Sequence, residues 1–304
     1  MLGRVAELHY KHGLTHQEIA GLLGLSRVQV TRMLAKARAE GIVEIRVNSD
    51  EPIFPAEQKA LMTKFGLKHA AVAPSLSDPA ATLASIGTVG ARFVKSVMRP
   101  QMTVAVGLSS TLASIASQLK SDVRDAIFVP AIGSRPAGSP GVNPHHVAEL
   151  FAEAVGGTSV HLPAPLFTAT PAAARTIAEE PQIKEILRVA RSASLGLFGL
   201  GGTKPGTGIV MDEFSSEPAL QKLFADGVVG DISAAFYDAK GRAVESSISE
   251  RIVGLSLEDI MKIPERVAFA GGPDKINPIA GALAGGLVTA LVTDQETAAR
   301  LLEL

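Results

Sequence analysis

Residues 14–34 read LTHQEIAGLLGLSRVQVTRML, a stretch that contains two helix-start signals eleven residues apart. Thr15 and Ser26 are each followed three residues later by Glu or Gln, the spacing of a capping box in which side chains and backbone N–H groups bond reciprocally. Gly24 lies between the two signals, where a helix must end and turn, because glycine readily adopts the left-handed conformation. Two capped helices joined by a tight glycine turn predict a helix-turn-helix.

The flanking residues extend this prediction. Residues 2–8 have helical apolar spacing and predict a preceding support helix. The alternation in Ile42–Val47 predicts a strand, so the unit is expected to be a winged helix-turn-helix. A polar segment with two prolines follows at residues 48–55 and indicates a domain boundary. We therefore predict a helix-turn-helix domain over residues 1–50 and a second domain over residues 51–304.

The exposed face of this first domain is predicted to contact DNA. The second helix of a helix-turn-helix lies in the major groove, where Gln29 would pair with adenine, and Arg27 or Arg32 with guanine. Residues 1–50 hold seven Lys or Arg and five Asp or Glu, so specific binding is expected to need a dimer or tetramer. The alternative is a helical hairpin that contacts only protein. The predicted DNA-contacting residues are Thr15, Gln17, Ser26, Arg27, Gln29, Arg32 and Lys36.

The pattern changes after residue 56, where apolar runs that end in glycine alternate with Ala-rich helical segments. Near-continuous apolar strands separated by helices predict an α/β domain with a parallel sheet buried on both faces. Ligands of such sheets bind outside the carboxyl ends of the strands. The predicted strands include Thr103–Gly107, Ala126–Gly133, Leu195–Gly202 and Arg266–Gly272.

Several polar residues and glycines follow these strands and are candidates for an effector site. Lys275 comes after a strand and a glycine turn, just before a predicted helix, an arrangement that suits a phosphate. Three alternatives remain open: Lys275 is an exposed turn lysine, the hydroxyls at 109–111 only cap a helix, and Asp231 caps the next element rather than holding sugar hydroxyls. The predicted effector-binding residues are Ser109, Ser110, Thr111, Gly133, Gly201, Asp231, Gly271, Gly272 and Lys275.

The composition of the chain excludes several classes of protein. Its 304 residues are 46% apolar and 19% charged and include no cysteine, so disulfides, thiolate metal sites and cysteine nucleophiles are excluded. No signal-peptide core and no apolar run of membrane-spanning length is found, which predicts a cytoplasmic protein without a membrane partner. We predict no catalytic residue, no cofactor and no metal ion.

Several segments, taken in order, resemble the SorC family of bacterial sugar-responsive transcriptional regulators, which includes the deoxyribonucleoside and central glycolytic gene regulators. The resemblance covers nearly the whole chain. The loop at Leu108–Thr111 departs from the Trp-Gly-x-Thr of many relatives, and the chain contains no tryptophan. The segments that carry the resemblance are residues 14–20, 25–34 and 37–43, then 227–232 with Tyr237, Asp238 and Gly241, then 270–272 with Lys275, and finally 291–298.

The resemblance implies a Rossmann-like effector domain related in fold to sugar-phosphate isomerases and glucosamine-phosphate deaminases, but without catalysis. It further implies a phosphorylated sugar or polyol as effector, a homotetramer, and control of a carbohydrate operon. In the family, the lysine that matches Lys275 contacts the effector phosphate, and the loop that matches Ser109–Thr111 helps to hold it.

These observations together predict a ligand-responsive DNA-binding regulator of a carbohydrate or polyol operon. One alternative is a sugar-phosphate isomerase or deaminase that carries a DNA-binding domain, for which His145, His146, Glu149 and Asp231 are nominal catalytic groups. The other is a constitutive DNA-binding scaffold whose α/β domain only forms oligomers.

Overall fold

The computed structural model describes residues 1–43, 52–136, 142–204, 206–208, 213–214 and 218–304. The chain forms two compact units, Met1–Glu51 and Pro52–Leu304. Among the described residues, no helix is long and apolar enough to cross a membrane.

The first unit contains the predicted helix-turn-helix. Its helices are α1 (Leu2–Tyr10), α2 (His16–Leu23) and α3 (Arg27–Ala39). Both predicted capping boxes are formed, and Gly24 ends α2 in the left-handed conformation with φ 65°. The helices enclose a small apolar core of Val5, Ala6, Ile19, Ala20, Val30, Leu34 and Ala37.

The predicted wing strand lies almost wholly outside the described residues. It was placed at Ile42–Val47, of which only Ile42 and Val43 are described, and neither of these is in a strand. The backbone N–H groups of both residues donate to the carbonyl of Ala37 at the end of α3.

The second unit alternates strands and helices, as the apolar runs predicted. The four strands named from the sequence are present with slightly different ends. The strands are β1 (His69–Ala73), β2 (Thr103–Val106), β3 (Ile127–Pro130), β4 (Thr158–Ser159), β5 (Leu195–Gly201), β6 (Val228–Ile232), β7 (Ala235–Asp238), β8 (Glu265–Phe269) and β9 (Ala290–Asp294). The helices are α4 (Pro55–Phe65), α5 (Pro79–Val97), α6 (Ser110–Gln118), α7 (Pro144–Val155), α8 (Pro171–Glu179), α9 (Pro181–Arg191), α10 (Pro218–Ala225), α11 (Leu257–Lys262), α12 (Ile276–Ala284) and α13 (Gln295–Glu303).

Seven strands form one parallel sheet in the order β1-β9-β8-β5-β2-β3-β4. Strands β6 and β7 form an antiparallel hairpin that pairs with the carboxyl end of β5. The chain continues from β2 to β3 on one side of the sheet, and from β5 toward β8 on the other, so the strand order reverses between the neighbouring strands β2 and β5. The carboxyl end of β5 is therefore the place where an open α/β sheet leaves a crevice for a ligand.

Both faces of the sheet are buried. Successive side chains of a strand point to opposite faces, and nearly all side chains of β5 are buried. Leu195 and Leu197 of β5 belong to the core that packs against α5, α6 and α7. Phe198 and Leu200 belong to the core on the other face, which includes residues of α4, α9, α12 and α13. The continuous apolar runs of the sequence follow from this arrangement.

Candidate functional site

A cavity of about 290 Å³ lies at the carboxyl ends of the central strands in the second unit. Its walls come from the loop after β2, the start of α6, the end of β5, the β6 strand and the segment after β8. Seven of the nine predicted effector residues line it: Ser109, Ser110, Thr111, Gly201, Asp231, Gly271 and Lys275.

Lys275 provides a cationic group at the end of the cavity wall that follows β8. It ends a short 3-10 turn, Pro273–Lys275, immediately before α12. Its Nζ donates to the carbonyl of Leu200 at 2.6 Å and to the carbonyl of Thr207. Burial lowers the pKa of Lys275, and the Asp231 and Asp274 carboxylates oppose that shift. An ammonium group has three donors, and the described residues accept from two of them, which leaves one for a ligand.

The first turn of α6 provides backbone donors at the opposite wall. Ser109 is the N-cap, and its Oγ accepts from the N–H of Thr111 at 3.1 Å. The N-terminus of a helix carries partial positive charge and unpaired N–H groups, which favour an anion. Ser109 thus caps α6, and it also lines the cavity together with Ser110 and Thr111.

Asp231 is a buried carboxylate at the side of the cavity. One oxygen, Oδ2, accepts from the N–H of Ala234 at 2.9 Å, within the turn that joins β6 to β7. Burial raises the pKa of Asp231, against the lowering effect of that hydrogen bond and of Lys275. A Cβ on Gly201 would overlap Oδ1 of the same carboxylate, so glycine at 201 permits the close approach. This oxygen is placed to accept from a ligand hydroxyl.

Two predicted effector residues do not line the cavity. Gly133 lies against the backbone of Pro165, with which a Cβ would overlap, so its small size serves chain packing. The N–H of Gly272 donates to Oδ2 of Asp294 at 2.9 Å and to Oγ1 of Thr297 at 2.8 Å. Because this N–H already has two acceptors within the protein, it is not a free donor for an anion.

Arg135 was not identified as a site residue from the sequence. Its buried guanidinium lines the cavity and bonds Oε1 of Glu213 through Nη2 at 2.9 Å. A second cavity of about 390 Å³ lies on its other side and also includes Phe214 and Arg251. The partners of Arg135 are distant in sequence, and no local motif signals them.

The nominal catalytic histidines of the second unit lie elsewhere. His145, His146 and Glu149 are on α7, and none of them lines the cavity. Among the described residues, no group of three or more His, Asp or Glu side chains is arranged to hold a metal ion. The described lining of the cavity thus includes the cationic side chains of Lys275 and Arg135, the carboxylate of Asp231, hydroxyls and helix-end donors, which can bind a polar anionic ligand.

In the first unit, all seven predicted DNA-contacting residues are exposed. The guanidinium groups of Arg27 and Arg32 have no hydrogen bond or ion pair within the described part of the chain, and Lys36 lies 3.5 Å from a carboxylate oxygen of Glu40. The side chain of Gln29 is already engaged, because its Oε1 accepts from the N–H of Ser26 at 2.8 Å. The bidentate adenine contact proposed from the sequence is therefore incompatible with this rotamer, since it needs the same oxygen.

An exposed helix-turn-helix on one unit and a polar cavity on the other define a ligand-binding transcriptional regulator. Comparison with known proteins agrees with that class. The family model named "Putative sugar-binding domain" matches residues 55–303, and a Crp-like helix-turn-helix domain matches residues 3–54. The chain belongs to the SorC family of sugar-binding transcriptional regulators.

Individual relatives match over almost the full length. The transcriptional regulator LsrR of Escherichia coli O139:H28 is 32% identical over 310 aligned residues, which cover 99% of this chain and 94% of that protein. LsrR of Klebsiella pneumoniae is 29% identical and covers 100% of this chain and 93% of that protein. The crystal structure of the full-length sorbitol operon regulator SorC from Klebsiella pneumoniae has a TM-score of 0.79 at 28% identity, with 99% of this chain and 97% of that chain covered.

Proposed function

We propose that the chain is a non-enzymatic regulator of a carbohydrate or polyol operon whose effector is a phosphorylated sugar or polyol, and that it acts as a homotetramer. The observation that carries the proposal is the convergence of Lys275, the α6 N-terminus and Asp231 on one cavity. The remaining proton of the Lys275 ammonium and the helix-end N–H groups suit a phosphate. The free oxygen of Asp231 suits a hydroxyl of the same ligand.

In this proposal the effector changes operator affinity through the difference in its affinity for two states of the protein. A ligand shifts such an equilibrium only by that difference, commonly about 1–3 kcal/mol, or about 5- to 150-fold in affinity. Ligand binding can affect the segment after β5, because the ammonium group of Lys275 also donates to the carbonyls of Leu200 and Thr207. A phosphate that bonds Lys275 would change the balance of these contacts.

A thermal-shift screen of sugar and polyol phosphates, each beside its unphosphorylated counterpart, tests the effector class. A ligand at one hundred times its Kd stabilises the folded state by about 2.7 kcal/mol, which corresponds to roughly 5–10 °C in Tm for a unit of this size. The shift is expected only with the phosphorylated member of a pair. Larger shifts with unphosphorylated sugars would contradict the assignment of a phosphate group.

Two lysine variants locate the phosphate. Lys275→Met removes the ammonium from the cavity and is expected to weaken binding by about 1.5–3 kcal/mol, the usual contribution of a hydrogen bond to a charged group. Lys204→Met is the matched control, since Lys204 is exposed and forms an ion pair with Asp274 outside the cavity lining. Equal affinity of the two variants for the phosphorylated ligand would contradict the assignment of Lys275 as the residue that binds the phosphate.

The operator assay separates the alternatives. An effector found in the screen is expected to change the affinity of the protein for its operator at least fivefold. In sedimentation, the protein is expected to be a tetramer. Ligands that bind and leave operator affinity unchanged would refute the regulatory mechanism. Turnover of a sugar phosphate that disappears in Asp231→Asn would instead support the enzyme alternative. Absence of any ligand-induced shift would favour a constitutive scaffold.

A further inference from the structure

The outward face of α3 has an apolar side chain among its polar ones. Val28 is the second residue of the helix and is 60% exposed. The helix buries Val30, Leu34 and Ala37 against the rest of the unit. At about 100° per residue, Val28 and Arg32 lie one turn apart on the opposite side, directed away from that core.

The charge of α3 indicates what covers this face. Residues 27–39 contain four cationic side chains and no Asp or Glu, which is complementary to a polyanion. The N-terminal end of such a second helix is the part that meets base edges in helix-turn-helix proteins. Val28 lies at that end, so the occupant of the face is the major groove of DNA.

Two polar side chains near Val28, those of Gln29 and Arg32, offer donors. Oε1 of Gln29 accepts from the N–H of Ser26 in the capping box, which leaves the Nε2 donor for DNA. The guanidinium of Arg32 also has donors and no acceptor. Donors beside an apolar side chain match the acceptor atoms of bases and the thymine methyl group in the major groove.

We propose that Val28 contacts the 5-methyl group of a thymine in each half-site of the operator, and so determines sequence at that position. The inference rests on the proposed DNA binding and names the base that one residue selects. Thymine is the one base of DNA with a methyl group in the major groove. The isopropyl group of Val28 contributes by removing that methyl from water, which corresponds to about a fourfold change in affinity.

The test uses the full-length chain and duplexes that it selects from a random pool. Each thymine of the selected half-site is replaced in turn by deoxyuridine, which keeps base pairing and removes the methyl. For the wild-type protein, one thymine per half-site is expected to lose about fourfold in affinity. For Val28→Ala, the same replacement is expected to change affinity by less than 1.5-fold, because the contact is already absent.

Leu22→Ala is the matched control for the loss of an exposed apolar side chain. Leu22 is 65% exposed and lies on α2 rather than α3, so this variant is expected to keep the wild-type sensitivity to deoxyuridine. Helical circular dichroism of Val28→Ala checks its folding, which is expected because alanine favours helix and Val28 is outside the core.

Each outcome decides the inference. A selected half-site without thymine, or one in which Val28→Ala and the wild type respond alike at every thymine, overturns the assignment of Val28 while DNA binding stands. Failure to select any duplex overturns the proposed DNA binding, and the assignment with it. If Val28→Ala, but neither the wild type nor Leu22→Ala, loses its sensitivity to deoxyuridine at one thymine of the half-site, the proposed contact is supported.

Discussion

His145 gives the second unit a stability that depends on pH. It lies in the first turn of α7 with only 7% of its surface exposed, and its ring stacks on His161 with centroids 4.0 Å apart. Neither ring nitrogen has a hydrogen-bond partner among the described residues. Burial lowers the pKa of His145 to about 4 and His161 adds to this effect, while the Glu149 carboxylate and the nearby backbone of Leu162 oppose it. The folded protein therefore resists protonation at this site.

The direction and size of the effect follow from the two pKa values. The unfolded chain takes up a proton near pH 6.5 and the folded protein near pH 4. The contribution of neutral His145 to the free energy of unfolding is thus fully present above pH 6.5 and is lost as the pH falls toward 4. One pKa unit corresponds to about 1.4 kcal/mol, so the loss between pH 7 and pH 5 is on the order of 2 kcal/mol.

The variant His145→Leu isolates this group from the other histidines. Urea unfolding followed by circular dichroism would give the free energy of unfolding at pH 7 and pH 5. We expect the drop on acidification to be about 2 kcal/mol smaller in His145→Leu than in the wild type. At pH 7 the variant should be no less stable, because the substitution removes unpaired buried polar atoms.

His146→Leu is the matched control. His146 is the next residue on the same helix and is exposed, so this variant keeps His145 and should keep the wild-type drop. Parallel pH curves for His145→Leu and the wild type would refute the reasoning, since the burial of His145 would then have no energetic consequence.

Two further substitutions test the cavity and the helix-turn-helix. Gly201→Ala places a Cβ on Oδ1 of Asp231, so the carboxylate must move. We expect the effector-induced Tm shift to be lost while the helical circular dichroism is kept, and an unchanged shift would show that Asp231 does not bind the ligand. Ser26→Ala removes the N-cap of α3 and should destabilise the first unit by about 1 kcal/mol; an unchanged unfolding midpoint for that unit would show that the cap is dispensable.

The architecture was largely predictable from the sequence because local signals and tertiary packing agree. The capping boxes at Thr15 and Ser26 fix helix starts through contacts between residues three apart, and such contacts are visible in a sequence. The strands of a sheet buried on both faces need continuous apolar runs, which identified β2, β3, β5 and β8. The family resemblance agrees with these local interpretations, and comparison with known proteins confirms it.

The β6–β7 hairpin was not predicted because its turn has no characteristic residue. Ser233 and Ala234 occupy the turn with φ 51° and 62°, a region that usually favours glycine or asparagine. The Asp231 carboxylate accepts from the N–H of Ala234 and so helps to hold this turn. Because the Asp231 side chain stabilises the turn, the turn does not need the Asn-Gly pair by which hairpins are usually recognised in a sequence.

Gly133 and Gly272 were expected at the effector site, and neither lines the cavity. A glycine at the end of a strand indicates a close approach of chain, and the sequence does not say whether a ligand or the protein itself approaches. At Gly133 the backbone of Pro165 approaches closely, whereas at Gly272 the backbone has φ 96°, a conformation that favours glycine, and no atom lies within 4 Å of the position of a Cβ. Arg135 is the opposite case, since its burial depends on Glu213, seventy-eight residues away.

The capping box of α3 both makes the helix recognisable in the sequence and determines which polar groups of Gln29 are exposed. The pair Ser26 and Gln29 made the second helix recognisable in the sequence, and the same pair takes the Gln29 oxygen out of the groove-facing surface. Gln29, chosen from the sequence as a reader of adenine, is therefore a capping residue whose amide N–H groups remain as donors. The local motif predicts where the helix begins, and the rotamer that it imposes restricts the hydrogen-bonding groups that Gln29 can offer to a partner.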